Sequence, residues 1–483
     1  MILLEQSSEI YNNDLRAMIM AFFPGVKIVT ELPEGEVGDF KVIAAFEENK
    51  SFISIENSEN KFNKEINGSY LDKQAFRNKL KRAIYDLLCQ FTKRELPWGD
   101  LTGVRPTKIA TAKLLEGLEK EAVTDYYKEV YATSERKAEL ATDVAQREMQ
   151  VTKNIDLKND YCLYIGIPFC PSRCLYCSFT SYPIAAYREK SKEYLDKLKE
   201  ELSYISDIMK NRRLVSIYVG GGTPTSITHE MLGDLLSHVR KQFDLSGLLE
   251  FTVEAGRPDS ITAEKLRVMM ENKVTRISIN PQTMNDETLR TIGRAHTKEQ
   301  TKEAFHMARQ MGFDNINMDL IAGLPGENID SMKYTLDSIL ELGPDSLTVH
   351  SLAIKRAANL KAAITDYESC INVDVDEMLN MVSDAAKKLN MMPYYLYRQK
   401  NIGGNLENVG YSRENIECLY NILIMEEMTD IIAAGAGASS KLVYHDENRV
   451  ERIENCKSVD DYIGRFDEMM ERKKILLEKV GRI

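Results

Sequence analysis

The sequence predicts an α/β protein built on an incomplete, TIM-like (β/α)6 barrel, with an N-terminal α+β domain before it and a C-terminal extension after it. Two observations predict this. From Tyr161 onward, short apolar runs alternate with amphipathic stretches, as βαβ units on a parallel sheet do. Six such runs are present, too few to close a full (β/α)8 barrel. The expected bounds are 1–155, 156–356 and 357–483.

The N-terminal part reads in order as follows. Met1–Gln6 predicts a strand, and Ile10–Phe23 a helix with Ile10, Leu15, Met18 and Phe22 on one face. Val26–Leu32, Phe40–Phe46 and Phe52–Asn57 predict strands, with a polar turn at Glu47–Lys50. Leu71–Phe91 predicts an amphipathic helix. The Pro97–Lys108 loop holds the only tryptophan, Trp98, and reads as a packing loop whose Pro106 starts a helix at Thr107. Its alternative use is a pocket lined by Arg105 and Lys108.

The barrel strands are expected at Tyr161–Phe169, Ser216–Val219, Glu250–Ala255, Arg276–Asn280, Asn315–Ile321 and Ser346–His350, with helices such as Tyr187–Lys210 between them. Reactive residues of parallel sheets gather at the C-terminal strand ends. A cysteine loop follows the first strand, Gly220-Gly221-Gly222-Thr223-Pro224-Thr225 follows the second, and Glu254 ends the third. The extension predicts a helix at Val373–Leu389, a strand at Tyr394–Arg398, a small-residue loop at Ala433–Ser440 and a charged helical tail at Arg449–Leu477.

Composition sets limits. The chain has 483 residues, 43% of them hydrophobic and 28% charged, enough for a full core without disulfides. A net charge of −11 argues against broad nucleic-acid binding. No apolar run is long enough to span a bilayer, and the N-terminus lacks a basic region before its apolar residues, so a cytoplasmic protein is expected. There the eight cysteines suit metal ligation better than disulfides.

Cys170, Cys174 and Cys177 form a C-x3-C-x2-C loop. Three thiolates on one loop can hold three irons of a cubane cluster and leave the fourth open. Structural zinc prefers four protein ligands, and no second knuckle is present. The glycine run lets backbone groups approach a ligand, and it lacks the Lys-Ser/Thr of a phosphate loop.

Cys-x3-Cys-Leu-Tyr-Cys-x-Phe resembles the signature of radical S-adenosylmethionine (SAM) enzymes. The resemblance implies a [4Fe–4S] cluster whose open iron chelates SAM, and a deoxyadenosyl radical that abstracts hydrogen. Over most of residues 161–356 the chain is similar to the oxygen-independent coproporphyrinogen III oxidases. With its extra N-terminal unit, Leu101–Lys108 and Tyr394–Asn401, it resembles their HemZ-type branch, described as coproporphyrinogen dehydrogenases. That likeness implies cluster ligation by Cys170, Cys174 and Cys177. It implies SAM contacts from Tyr164, Tyr176, Gly221, Gly222, Thr223, Glu254, Gln282, Arg294, Asp319 and Ala353. The implied reaction converts propionates of coproporphyrinogen III to vinyl groups, giving protoporphyrinogen IX, with a low-potential donor such as a flavodoxin or ferredoxin. The substrate's carboxylates need cations, for which Arg356 and Arg398 are the candidates. Two departures leave alternatives open. The best-characterised oxidases carry a fourth cysteine where this chain has Phe179. A heme-chaperone branch carries a His-Asn-x-x-Tyr-Trp segment, yet here no His lies between His350 and His445 and no Trp follows Trp98. A heme-binding or heme-transfer protein and a heme-modifying radical enzyme are the alternatives.

Overall fold

The computed structural model describes residues 1–352, 374–398 and 406–479. Among these, no helix is long and apolar enough to cross a membrane. The chain divides into two compact units, Met1–Gln146 with Leu396–Asn408, and Arg147–Tyr395 with Val409–Ile483.

The first unit holds a five-stranded sheet of β1 (Ile2–Gln6), β2 (Ile28–Val29), β3 (Phe40–Ala45), β4 (Lys50–Glu56) and β5 (Lys61–Asn67), in the order β2-β1-β3-β4-β5. Helices Asn12–Phe22 and Lys73–Thr92 bury Leu15, Met18, Phe76, Leu80 and Ile84 with Leu4, Val42 and Ile55 of the strands. The strand expected at Val26–Leu32 shrinks to β2. β5 was not expected: only Phe62 and Ile66 of its residues are apolar, as suits an edge strand kept soluble by its lysines. The Pro97–Lys108 loop does lead into a helix at Thr107, with Pro106 at its cap. Trp98 is fully buried, and its indole N–H donates to Glu407 at 2.6 Å.

The second unit contains β6 (Asp160–Ile167), a short pair β7 (Phe169–Cys170) and β8 (Tyr182–Pro183), then β9 (Arg213–Gly221), β10 (Glu250–Gly256), β11 (Arg276–Gln282), β12 (Ile316–Ala322) and β13 (Ser346–Ser351). These are followed by β14 (Met392–Arg398) and β15 (Glu407–Ser412), of which residues 396–398 and 407–408 count with the first unit, and by β16 (Asp430–Ala434), β17 (Ser439–Tyr444) and β18 (Arg449–Glu454). The six expected barrel strands lie side by side and parallel, from β6 through β9 to β13. Among the described residues the sheet does not close: β14 and β18 are its two ends.

The last part of the chain joins this sheet. β16 adds a seventh parallel strand beside β6, with Ile431 opposite Cys162 and Ala434 opposite Ile165. β15 pairs antiparallel with β13. The small-residue loop therefore begins as a strand, and the charged tail begins as the edge strand β18 before helices Val459–Gly464 and Phe466–Lys479. The alternation of charge in Arg-Val-Glu-Arg-Ile-Glu reads as a solvated helix face, yet it also suits an edge strand.

A buried polar network ties this tail to helix Ile184–Met209, which carries Glu201. Glu201 is fully buried and accepts from the Gly435 N–H at 2.9 Å, the Tyr462 hydroxyl at 2.6 Å and Asn455 at 2.9 Å, and it pairs with Lys473. Gly435 lies at φ +101°, where a Cβ would stand 2.5 Å from the Gly166 carbonyl, so only glycine lets the turn sit against β6.

Candidate functional site

Strand alternation gives the barrel two unlike faces. One row is apolar and wholly buried: Leu163, Ile165 and Ile167 on β6, Phe251 and Val253 on β10, Ile277 and Ile279 on β11. The other row is polar and bonded across and along the strands. Ser216 donates to Glu250, Tyr218 to Glu254, Asn317 to Ser278 and Asp319, and Thr348 to Asn317. A polar interior needs its groups satisfied by one another or by a ligand.

At the N-terminal strand ends the interior is plugged. Helix Leu419–Glu426 begins there, and Glu250 accepts its Leu419 N–H at 2.7 Å and its Tyr420 N–H at 3.4 Å. The Tyr420 ring stacks on Tyr218 at 4.6 Å, and both stack with Tyr164 at 6.2 and 6.3 Å.

At the C-terminal ends lies the cysteine loop, gripped from three sides. The Gly222 N–H donates to Ile167 at 2.8 Å and the Thr223 N–H to Phe169 at 2.7 Å. A Cβ on Gly222 would stand 2.5 Å from the Phe169 carbonyl, so the glycine is needed for the two loops to touch. The Thr223 hydroxyl donates to the Cys170 sulfur at 3.5 Å. From the turn after helix Asp286–Thr291, which follows β11, Arg294 reaches the Tyr176 hydroxyl at 2.9 and 3.2 Å and the Asn280 carbonyl at 2.6 Å, while the Leu175 N–H donates to Ile292 at 3.1 Å. From β10, Arg257 reaches Ser172 of the loop.

Burial pushes the Cys170 and Cys177 thiols up, with the Thr223 hydroxyl and the Phe179 N–H pulling the other way. Such thiols keep their protons until a metal displaces them. Among the described residues, no three His, Cys, Asp or Glu side chains converge where a single ion would sit. A cluster asks for something else, since each thiolate takes a different iron. The donor set fits a [4Fe–4S] cluster.

The strand ends beside the loop fit SAM. Gly221 lies at φ +107°. Glu254 is half-buried and holds the Tyr218 hydroxyl at 2.6 Å. Burial pushes its carboxyl up to about 7 and the charge on Asp319 adds to the rise, while the Tyr218 hydroxyl opposes it. Gln282 takes φ +70°, a strained value for a side-chain-bearing residue, and its buried Oε1 has no hydrogen-bond partner among the described residues. An orphaned acceptor beside two half-buried carboxylates is a place prepared for donors such as an ammonium or ribose hydroxyls.

The structure thus brings Tyr176, Gly221, Gly222, Thr223, Glu254, Gln282, Arg294 and Asp319 toward the C-terminal end of one barrel, with Cys170, Cys174 and Cys177, while Tyr164 sits between the two ends, its ring in the stack with Tyr218 and Tyr420 and its hydroxyl toward Gly221. Within it Tyr176 and Arg294 are partners, and Gly222 packs on the loop backbone. Ala353 and Arg356 lie outside the described residues. Arg398 belongs to the first unit; it is 3% exposed, sits over the Trp98 ring at 5.0 Å and donates to the Gly103 carbonyl at 3.2 Å. That setting argues for a packing role and against carboxylate capture. Sequence reasoning missed Tyr218, Tyr420 and Arg257. Only Arg257 left a signal, an Arg-Pro-Asp turn directly after a strand end.

Comparison with known proteins agrees. Residues 164–339 match the Radical SAM superfamily. The chain is 41% identical over 416 residues to the oxygen-independent coproporphyrinogen-III oxidase-like protein HemZ of Bacillus subtilis, covering 85% of this chain and 83% of that one. It is 38% identical over 195 residues to the heme chaperone HemW of B. subtilis, covering 40% of this chain and 50% of HemW. The solved structure of the radical SAM enzyme coproporphyrinogen III oxidase (HemN) from Escherichia coli shares the fold, with a TM-score of 0.52 at 22% identity over 67% of this chain and 72% of HemN. The chain therefore belongs to the radical SAM superfamily, within its HemN, HemZ and HemW group, whose cofactors are a [4Fe–4S] cluster and SAM.

Proposed function

We propose that this protein carries out oxidative decarboxylation of coproporphyrinogen III propionates to vinyl groups, giving protoporphyrinogen IX, as an anaerobic step of heme biosynthesis in the cytoplasm. The observation that supports it best is the 41% identity to the HemZ oxidase-like protein over 83% of its length.

When bound, the cluster and SAM supply the hydrogen-abstracting radical. The chain's residues bind, orient and exclude water. Cys170, Cys174 and Cys177 hold the irons. Glu254 and Asp319 accept from the ammonium and hydroxyl groups of SAM, Gln282 offers its free carbonyl, and the backbone of Gly221, Gly222 and Thr223 passes beside it. Arg294 supplies the positive charge for its carboxylate. The stack of Tyr164, Tyr218 and Tyr420 closes the interior on the other side. Each reacting propionate would lose a hydrogen atom to the SAM-derived radical, then CO2, and one electron to an external one-electron acceptor. A low-potential donor such as a flavodoxin or ferredoxin starts each cycle. Arg356 is the proposed substrate cation.

Anaerobic incubation of reconstituted protein with coproporphyrinogen III, SAM and a low-potential reductant tests this. Vinyl products support the reading; deoxyadenosine without vinyl product overturns it. A second reading, a heme-binding or heme-transfer protein, is favoured by Phe179 at the missing fourth cysteine and by the HemW match. His296 suits it poorly: it is 2% exposed, out of reach of a macrocycle. Half-buried His350 on β13 is the better ligand. Tight stoichiometric heme binding that is lost in His350→Ala supports that reading.

A further inference from the structure

We propose that Arg257 is a positioning residue for the cluster, fixing the Cys170–Cys174 segment and keeping a positive charge beside Cys174. This rests on the family's cluster and not on the identity of the tetrapyrrole.

Arg257 follows β10 directly and is 3% exposed. Its Nε and Nη2 form a two-pronged pair with Asp259 at 2.9 and 2.7 Å. Its Nη1 donates to the Ser172 hydroxyl at 2.6 Å and to the Ser172 carbonyl at 3.2 Å. Ser172 is the middle of the three residues between Cys170 and Cys174. A planar guanidinium anchored by a carboxylate on one edge has its other edge fixed in space, which a flexible ammonium cannot reproduce.

The position relative to Cys174 matters as much. Arg294 grips Tyr176, two residues after Cys174, and Arg257 grips Ser172, two residues before it. Cys174 is buried, and it interacts electrostatically with both guanidiniums. Cys174 is thus bracketed by two cations on opposite sides in sequence. A fixed positive charge near a thiolate-ligated iron favours the reduced, more negative cluster. Removing Arg257 would also leave the negative Asp259 unbalanced beside the loop.

The test uses the full chain, reconstituted anaerobically, in three variants. Iron loss to a chelator is followed by absorbance, and the midpoint potential by redox titration. Arg257→Gln is expected to lose iron about tenfold faster, the worth of one charge-assisted hydrogen bond, with a potential shifted to more negative values. Arg257→Lys keeps the charge without the fork, so its potential returns toward the parent while its iron loss stays fast. Ser172→Ala is expected to lose iron severalfold faster at the parent potential. Parent-like iron loss and potential in Arg257→Gln would overturn the proposal. If that variant does not fold, parent-like iron loss in Ser172→Ala overturns it instead.

Discussion

The two ends of the barrel carry the same residue types in opposite conditions. Glu250 and Glu254 stand four residues apart on β10 and point to the same face. At the N-terminal end, Glu250 has its oxygens taken by Ser216, Cys418, Leu419 and Tyr420. At the C-terminal end, Glu254 has one side-chain donor, Tyr218, and its neighbour strand ends in Gln282, whose Oε1 has none among the described residues. One carboxylate caps a helix and is finished. The other is held ready, and its raised pKa records the cost of readiness. Residue type does not separate a structural carboxylate from a binding one; satisfaction of its hydrogen bonds does.

The largest effect is expected at the loop. Cys170→Ala, Cys174→Ala or Cys177→Ala should each bring the iron content of reconstituted protein close to zero, while Cys162→Ala or Cys456→Ala leaves it unchanged. Intact iron in Cys174→Ala would break the contrast between the loop and the scattered cysteines. Next in size is Gly222→Ala. Its Cβ would meet the Phe169 carbonyl at 2.5 Å, so the cysteine loop must move. We expect a stability loss of about 1–3 kcal/mol in urea unfolding, together with poor cluster retention.

A smaller effect sharpens the role of Glu254. Its folded pKa of about 7 lies above the ordinary carboxyl value of 4.5. The folded protein without SAM therefore favours the protonated form. This contribution to stability is fully present below pH 4.5 and is lost as pH rises through about 7. SAM binding needs the carboxylate, so affinity should climb over the upper part of that range. Tyr218→Phe removes a donor to the carboxylate and should move the midpoint of that climb to higher pH, as seen in binding titrations across pH. An unmoved midpoint would show that Tyr218 does not govern Glu254.

Much of the centre was legible in the sequence, because it is written in local signals. The cysteine spacing, the glycine run and the six apolar strands each fall within a few residues, and all reappear at one end of one barrel. What was illegible depends on residues far apart. Nothing local marks Tyr420 as the third ring on Tyr164 and Tyr218, or Asp430–Ala434 as a strand beside β6. Arg398, read as a candidate cation for the substrate's carboxylates, lies against Trp98, some three hundred residues earlier in the chain. β5 and β18 were missed because polar edge strands carry little apolar periodicity.

The central claim is that the C-terminal end of the barrel is the SAM site and the N-terminal end is structural. Equilibrium SAM titration of reconstituted Glu254→Gln and Glu250→Gln, with urea unfolding of each, tests it most directly. Glu254→Gln should weaken SAM binding at least about tenfold, the worth of a charged hydrogen bond, at near-parent stability. Glu250→Gln should bind SAM as the parent does but be less stable by about 1–3 kcal/mol. SAM affinity lost in Glu250→Gln and retained in Glu254→Gln would contradict it.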